Sequence, residues 1–189
     1  MIGYAFCGSY CTFARSIESL KRMAALGYEI QPIMSERAYF DDTRFFKARE
    51  FAALVESITG KSIIHTIVDA EPLGPKNPLD ALIIAPCTGN TLAKISLGIT
   101  DSAVTMAAKA HLRSDRPLLI ALASNDAMSQ NLGNIGDLLV RKSVYFVPLC
   151  QDDPIKKPHS LVADMEKIPE AFDEMMRGTQ MRPLFLLPK

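Results

Sequence analysis

The chain has no tryptophan, only three histidines and four cysteines, and no excess of either charge, 21 basic residues standing against 21 acidic. Each shortage closes off a class of function. Balanced charge removes the electrostatic footprint of a nucleic-acid binder, and the basic pair Lys156-Lys157 is too short to make a patch. Cys7 and Cys11 are spaced CxxxC while Cys87 and Cys150 stand alone, which is no zinc pattern, so no metal centre is expected. All four lie in or beside apolar runs, as buried reduced thiols of a cytosolic protein do. No apolar run approaches the ~20 residues that span a bilayer. Met1 to Cys7 lacks a basic leader and reads as a strand rather than a secretory signal. The expectation is therefore a soluble cytoplasmic protein without nucleic-acid or membrane partners. There is also no HExxH, no Walker lysine loop, no EF-hand loop and no serine–histidine–acid pattern. Internal repeats and low-complexity segments are absent.

What the chain does have is a regular alternation of apolar runs and helical periods. Its 189 residues make one domain over 1–189 the default, and a domain of this size buries about 70% of its unfolded surface without needing a disulfide. Strands are expected over 2–7, 28–34, 62–68, 81–85, 117–123 and 144–147. Helices are expected over 10–26, 43–58, 90–98, 102–112 and 131–142, with a C-terminal helix over 160–177 that Pro169 kinks or divides. Residues 69–79 and 151–159 read as loops, and an apolar tail occupies 181–189. Most strand runs are continuously apolar, which favours a parallel sheet covered on both faces. The fold class expected is α/β: a three-layer, Rossmann-like or flavodoxin-like doubly wound sheet of about six strands in the order 3-2-1-4-5-6.

That order puts the switch point between the first and fourth strands, and ligands bind there at the carboxyl edge. The turn at Gly8-Ser9 with Thr12, and the loop Pro86-Cys87-Thr88-Gly89-Asn90-Thr91, then face one another across a crevice. Gly8 allows close approach. Ser9, Thr12 and the residues 88–91 bring hydroxyls and backbone N–H groups to helix N-termini, where a phosphate fits. Helix capping alone requires only one of the side chains Thr88, Asn90 and Thr91. The full GxGxxG fingerprint is absent, so a mononucleotide suits this site better than a dinucleotide. Gly8-Ser9 also reads as an ordinary strand–helix turn, and Ser35, after the second strand, as either a phosphate donor or a cap. At the end of the fifth strand, Ala123 and Asn125 suit the edge of a planar heterocycle, and Asp126 reads as a cap or a base. His65 lies within an apolar run, His111 ends a helix, and His159 sits in a loop with Asp152, Asp153, Lys156 and Lys157 that reads as a substrate-bearing lid or a solvated turn.

The run from Pro86 to Asp101 resembles the flavoprotein family that includes the flavin-containing cysteine decarboxylases and the flavin prenyltransferases. In that family a loop reading PASANT or PCS-x-x-T precedes a helix reading (I/L)AxIAxGxxD. The runs 70–76, 104–113 and 145–154, with Asn134-Ile135-Gly136, extend the resemblance over most of the chain. They are similar to a branch found in endospore-forming bacteria that oxidises dihydrodipicolinate to dipicolinate. The resemblance implies FMN, its phosphate near Gly8, Ser9, Thr12 and Ser35 and its ring near Pro86, Cys87, Thr88, Asn90, Thr91, Ala123 and Asn125. It implies an oxidoreductase of the sporulating mother cell with a small dicarboxylate substrate. A dehydrogenase-type partner subunit would bring NADP, and the chain itself would form a trimer or a dodecamer. His159 and Asp126 are the candidate proton acceptors, and Lys94, Lys109, Arg113 and Lys157 the candidate carboxylate partners. Two departures set peptidyl-cysteine decarboxylation aside: the family's PAMN reads Ala123-Ser124-Asn125-Asp126 here, and His65 lies too far upstream to match the decarboxylases' histidine. An FMN-dependent decarboxylase or prenyltransferase acting on another small acid, and a non-catalytic scaffold subunit, are the alternatives.

Overall fold

The first strand, β1 (Ile2–Phe6), is buried at every position, as a continuous apolar run in the middle of a covered sheet must be. A computed structural model describes residues 1–74, 76 and 79–187. Pro75, Asn77 and Pro78 of the expected loop, and Pro188 and Lys189 of the expected tail, lie outside the described residues. After a short 3-10 turn over Tyr10–Thr12, α1 (Phe13–Ala25) turns Phe13, Ile17, Leu20 and Met23 inward. Then follow β2 (Ile30–Met34), α2 (Glu36–Phe40), α3 (Ala48–Thr59), α4 (Ile67–Ala70), β3 (Ala81–Cys87), α5 (Gly89–Leu97) and α6 (Ala103–Leu112). The chain continues through β4 (Leu118–Ser124), α7 (Leu132–Leu139), β5 (Val144–Phe146), β6 (Leu149–Cys150), β7 (Leu161–Ala163) and α8 (Ile168–Met176).

These strands form a seven-stranded sheet in the order β2-β1-β3-β4-β7-β6, with β5 also on β4. The parallel run β2-β1-β3-β4-β5 is the expected 2-1-4-5-6. Helices α1, α3 and α8 cover one face and α4 to α7 the other, which gives the expected three-layer α/β architecture. At the centre of one layer, Phe13 stacks on Phe51 at 4.3 Å, and Phe6 meets both edge-on. The buried Tyr4 hydroxyl donates to the Ser16 carbonyl at 3.0 Å.

The structure departs from the sequence reading at several places, beginning with α2 and β6, which were not expected. The strand expected over 62–68 reduces to one bridge, Ile33 to Ile64. Just beyond it, the Thr66 hydroxyl accepts from the Asp69 N–H and turns the chain into α4. The helix expected over 43–58 begins at Ala48, whose N–H donates to Asp42 Oδ1 at 3.0 Å. The C-terminal helix expected over 160–177 starts at Ile168, with Pro169 in a first turn where its missing N–H is no loss. Residues 161–163 pair antiparallel with β4, which runs past its partner β5 and leaves Ala123 and Ser124 with an open edge. The tail folds back on its own domain. Leu149 N donates to Leu184 O and Leu186 N to Leu149 O, both at 2.8 Å, which covers the edge of β6.

His111, expected as a helix-end residue, is a core group. Its Nε2–H donates to the Pro117 carbonyl at 2.7 Å, while Nδ1 is buried with no hydrogen-bond partner among the described residues. Burial lowers its pKa to about 4. The folded value lies below the unfolded one, so its contribution is whole above about pH 6.5 and is lost as pH falls toward 4. The loss amounts to up to about 3 kcal/mol. Urea unfolding across this window is expected to show a shallower pH slope for His111→Gln, whose amide still reaches the Pro117 carbonyl.

Candidate functional site

Two turns meet at the carboxyl edge of the sheet because the backbones that lead into them are bonded. The Cys7 N–H donates to the Pro86 carbonyl at 3.1 Å. Between Ile84 and Cys87 the β3–β4 register shifts, and the Ala85 carbonyl accepts from Ser16 Oγ at 2.5 Å. The shift bends the chain after β3 toward the turn after β1. Between the two lies a cleft of about 460 Å³, with Gly8, Tyr10, Ser35, Arg37, Thr88 and Asn90 among its walls.

The cleft is built of hydrogen-bond donors. Thr88 caps α5, accepting from the Thr91 N–H and donating to Thr91 Oγ1, both at 3.1 Å. The N–H groups at the start of α5 lack intrahelical partners, and Asn90 in that first turn lines the cleft. Asn90 is exposed. Ser35 caps α2 by accepting from the Ala38 N–H at 3.3 Å, which leaves its own proton to donate. Lys94 lies against the cleft with its ammonium 2.6 Å from Asp101. Beneath the floor are two thiols. Burial pushes Cys7 up to about 11, the bond from the Thr91 hydroxyl opposing it only in part, and burial also raises Cys87. Both are protonated at neutral pH and neither is a nucleophile.

Of the residues singled out from sequence, Gly8, Ser35, Thr88, Asn90 and Thr91 converge on this cleft. Pro86 and Cys87 lie buried under it. Thr12 is buried and donates to the Ser9 carbonyl at 2.7 Å, so it fixes the turn instead of lining the cleft. Ser9 and Ala123 are not among the lining residues, and Asn125 is exposed beyond them. Asp126 stands behind the first residue of α5, bonded to Ser124. His159 is exposed on its loop, and its backbone carbonyl accepts from the Met128 N–H at 2.9 Å. Lys157 is paired with Asp152, and Lys109 and Arg113 lie elsewhere.

The sequence reading missed Tyr10, Glu36, Arg37, Asp101 and Ser102, all of which line the cleft. Tyr10 was detectable from its place directly after Gly8-Ser9; its hydroxyl donates to the Arg37 carbonyl and Asp41, each at 3.2 Å. Asp101 and Ser102 reach the cleft because Gly98, at φ 72, ends α5 after nine residues and turns the chain back.

The donor set fits the phosphate of a mononucleotide: the Ser35 hydroxyl, the first turn of α5 and the Arg37 guanidinium. Gly89 admits no side chain. A Cβ there would come within 2.5 Å of Ser124 Oγ, 2.6 Å of Asn131 Nδ2 and 2.8 Å of Asp126 Oδ1. Gly89→Ala is expected to displace the start of α5 and cost about 1–3 kcal/mol. A fall in the urea midpoint, together with weakened FMN binding, checks it.

A family model described as Flavoprotein matches residues 2–176. A dipicolinate synthase subunit of Bacillus subtilis (strain 168) is 38% identical over 185 residues, 98% of this chain and 92% of the relative. The crystal structure of a dipicolinate synthase subunit from Bacillus halodurans C superposes with a TM-score of 0.91 at 38% identity, covering 100% of this chain and 96% of that one. A dodecameric FMN-dependent UbiX-like decarboxylase from Escherichia coli O157:H7 shares the fold, with a TM-score of 0.62 at 21% identity over 78% of this chain and 80% of that one.

Proposed function

The chain belongs to the flavoprotein family, and from that premise we propose that it is the flavin-binding subunit of a two-subunit dipicolinate synthase. It works with a dehydrogenase-type partner, which brings NADP, to oxidise dihydrodipicolinate to dipicolinate in the mother cell of a sporulating bacterium. The observation that carries this reading is the convergence of the β1 and β3 turns on one donor-lined cleft, in a chain so close over its whole length to subunits of dipicolinate synthases. FMN, when bound, supplies a two-electron acceptor for the hydride that leaves as the dihydropyridine ring becomes aromatic.

The chain's own residues bind and orient. Ser35, Arg37 and the first turn of α5 hold the phosphate, and Thr88, Asn90 and Thr91 set the ring against the mouth of the cleft. Lys94 exchanges Asp101 for a substrate carboxylate. Neither of the two proton acceptors expected from sequence lines the cleft: Asp126 lies behind Gly89 and is bonded to Ser124. His159 reaches this region only through its backbone carbonyl. The described residues include no helix long and apolar enough to cross a membrane. Leu97, Ile99, Leu132 and Val140 are exposed on and beside α5 and α7, a face suited to self-association into the trimer or dodecamer.

A non-catalytic subunit without flavin is the second reading. One observation favours it: Glu36 and Asp101 place two carboxylates in the same cleft, where they repel a phosphate. Titration of the purified chain with FMN, followed by flavin fluorescence, separates the two. Binding is expected, and Ser35→Ala and Asn90→Ala are each expected to weaken it about tenfold. No binding would leave the scaffold reading in place. A mass-spectrometric assay with the partner subunit is expected to show the loss of two hydrogens from dihydrodipicolinate. Loss of carbon dioxide or gain of a prenyl group instead would move the chain to the decarboxylases or prenyltransferases.

A further inference from the structure

Beyond the cleft, where Ile95 follows its Lys94 and Thr100 precedes its Asp101, lies a second cavity of about 110 Å³ at the far end of α5. Ile95, Ala108 and Leu112 give it an apolar wall, and Lys109, Arg113 and Arg141 stand around it without a single carboxylate in the lining. Three cations gathered in one small cavity repel one another. Neighbouring cations are neutralised: Lys94 by Asp101 at 2.6 Å and Lys142 by Asp115 at 2.9 Å. Lys109, Arg113 and Arg141 have no ion pair among the described residues. Asp137, one turn before Arg141, accepts from Ser96 Oγ at 3.4 Å instead. Arg113 is exposed and its guanidinium lies close to Gly74. A Cβ on Gly74 would lie 2.6 Å from its Nη2, so the guanidinium rests against bare backbone.

We propose that this cavity binds a small planar dicarboxylate. The ring lies on the wall of Ile95, Ala108 and Leu112, the carboxylates meet the planar forks of Arg113 and Arg141, and Lys109 adds the third charge. Inorganic phosphate would leave the apolar wall unused, and a cavity of this size takes one small ring. The choice of a ring dicarboxylate rests on the proposed function, whereas the existence of an anion pocket does not. The site shares no lining residue with the flavin cleft, so the chain can hold a molecule of the product's class while the cleft is occupied.

Calorimetric titration of the full chain with pyridine-2,6-dicarboxylate at low ionic strength tests this, with inorganic phosphate and a glutamate peptide as further probes. A binding step is expected that survives Lys94→Met, a change in the cleft, and is weakened about tenfold or more by Arg113→Met and by Arg141→Met. An unchanged FMN titration shows that both arginine variants are folded. Full affinity in both, or a step lost with Lys94→Met, overturns the proposal, as does tighter binding of phosphate or of the peptide. If the partnered assay yields no dipicolinate while this step persists, the proposed function fails and the pocket stands. Product formation with no arginine-dependent step removes the pocket alone.

Discussion

The bond from the Cys7 N–H to the Pro86 carbonyl, 3.1 Å long, is the contact on which the site depends. It is the last link between β1 and β3 before the two chains part, and it sets the distance between the turns they lead into. Proline makes this arrangement necessary: Pro86 has no N–H to give the ladder but keeps its carbonyl. The neighbouring Ala85 carbonyl is drawn to Ser16 on α1, whose hydroxyl also meets Tyr4. One helix and two strands are thereby locked together directly beneath the cleft. Around this frame, packing of Phe6, Phe13 and Phe51 leaves little freedom for the first turn to move.

Much of the fold was legible from β1, β3 and β4, whose unbroken apolar runs announce burial on both faces. What escaped depended on partners distant in sequence. Residues 161–163 carry no strand signature of their own, and they become a strand because β4 outruns β5. Conversely, 62–68 has strand-forming residues, but the Thr66 cap competes with the ladder and wins. Pro169 was read as an interruption because its effect depends on position, and position within a helix is known only when the start is known.

The site was legible to the same degree. Gly8, Ser35, Thr88, Asn90 and Thr91 follow directly from strand ends, and a parallel sheet gathers strand ends at one edge. Thr12 was misleading because a hydroxyl near a turn satisfies its own backbone as readily as a ligand. Asp126 and His159 were placed by loop position alone, and loops after β4 reach behind α5 before they reach the cleft. Lys94 was one of four cations named from sequence and is the one that lines the cleft, whereas Arg37 and Asp101 required the starts and ends of α2 and α5, which periodicity does not fix to a residue.

The covered margins of the sheet have a bearing on assembly. Ile64 lies along β2 on one side, and residues 184–186 lie along β6 on the other. Ile64 bonds β2 at Pro32 and Met34, and the tail bonds β6 at Leu149, which shortens the backbone that either margin offers to a further strand. A strand added at either margin would first have to displace these segments.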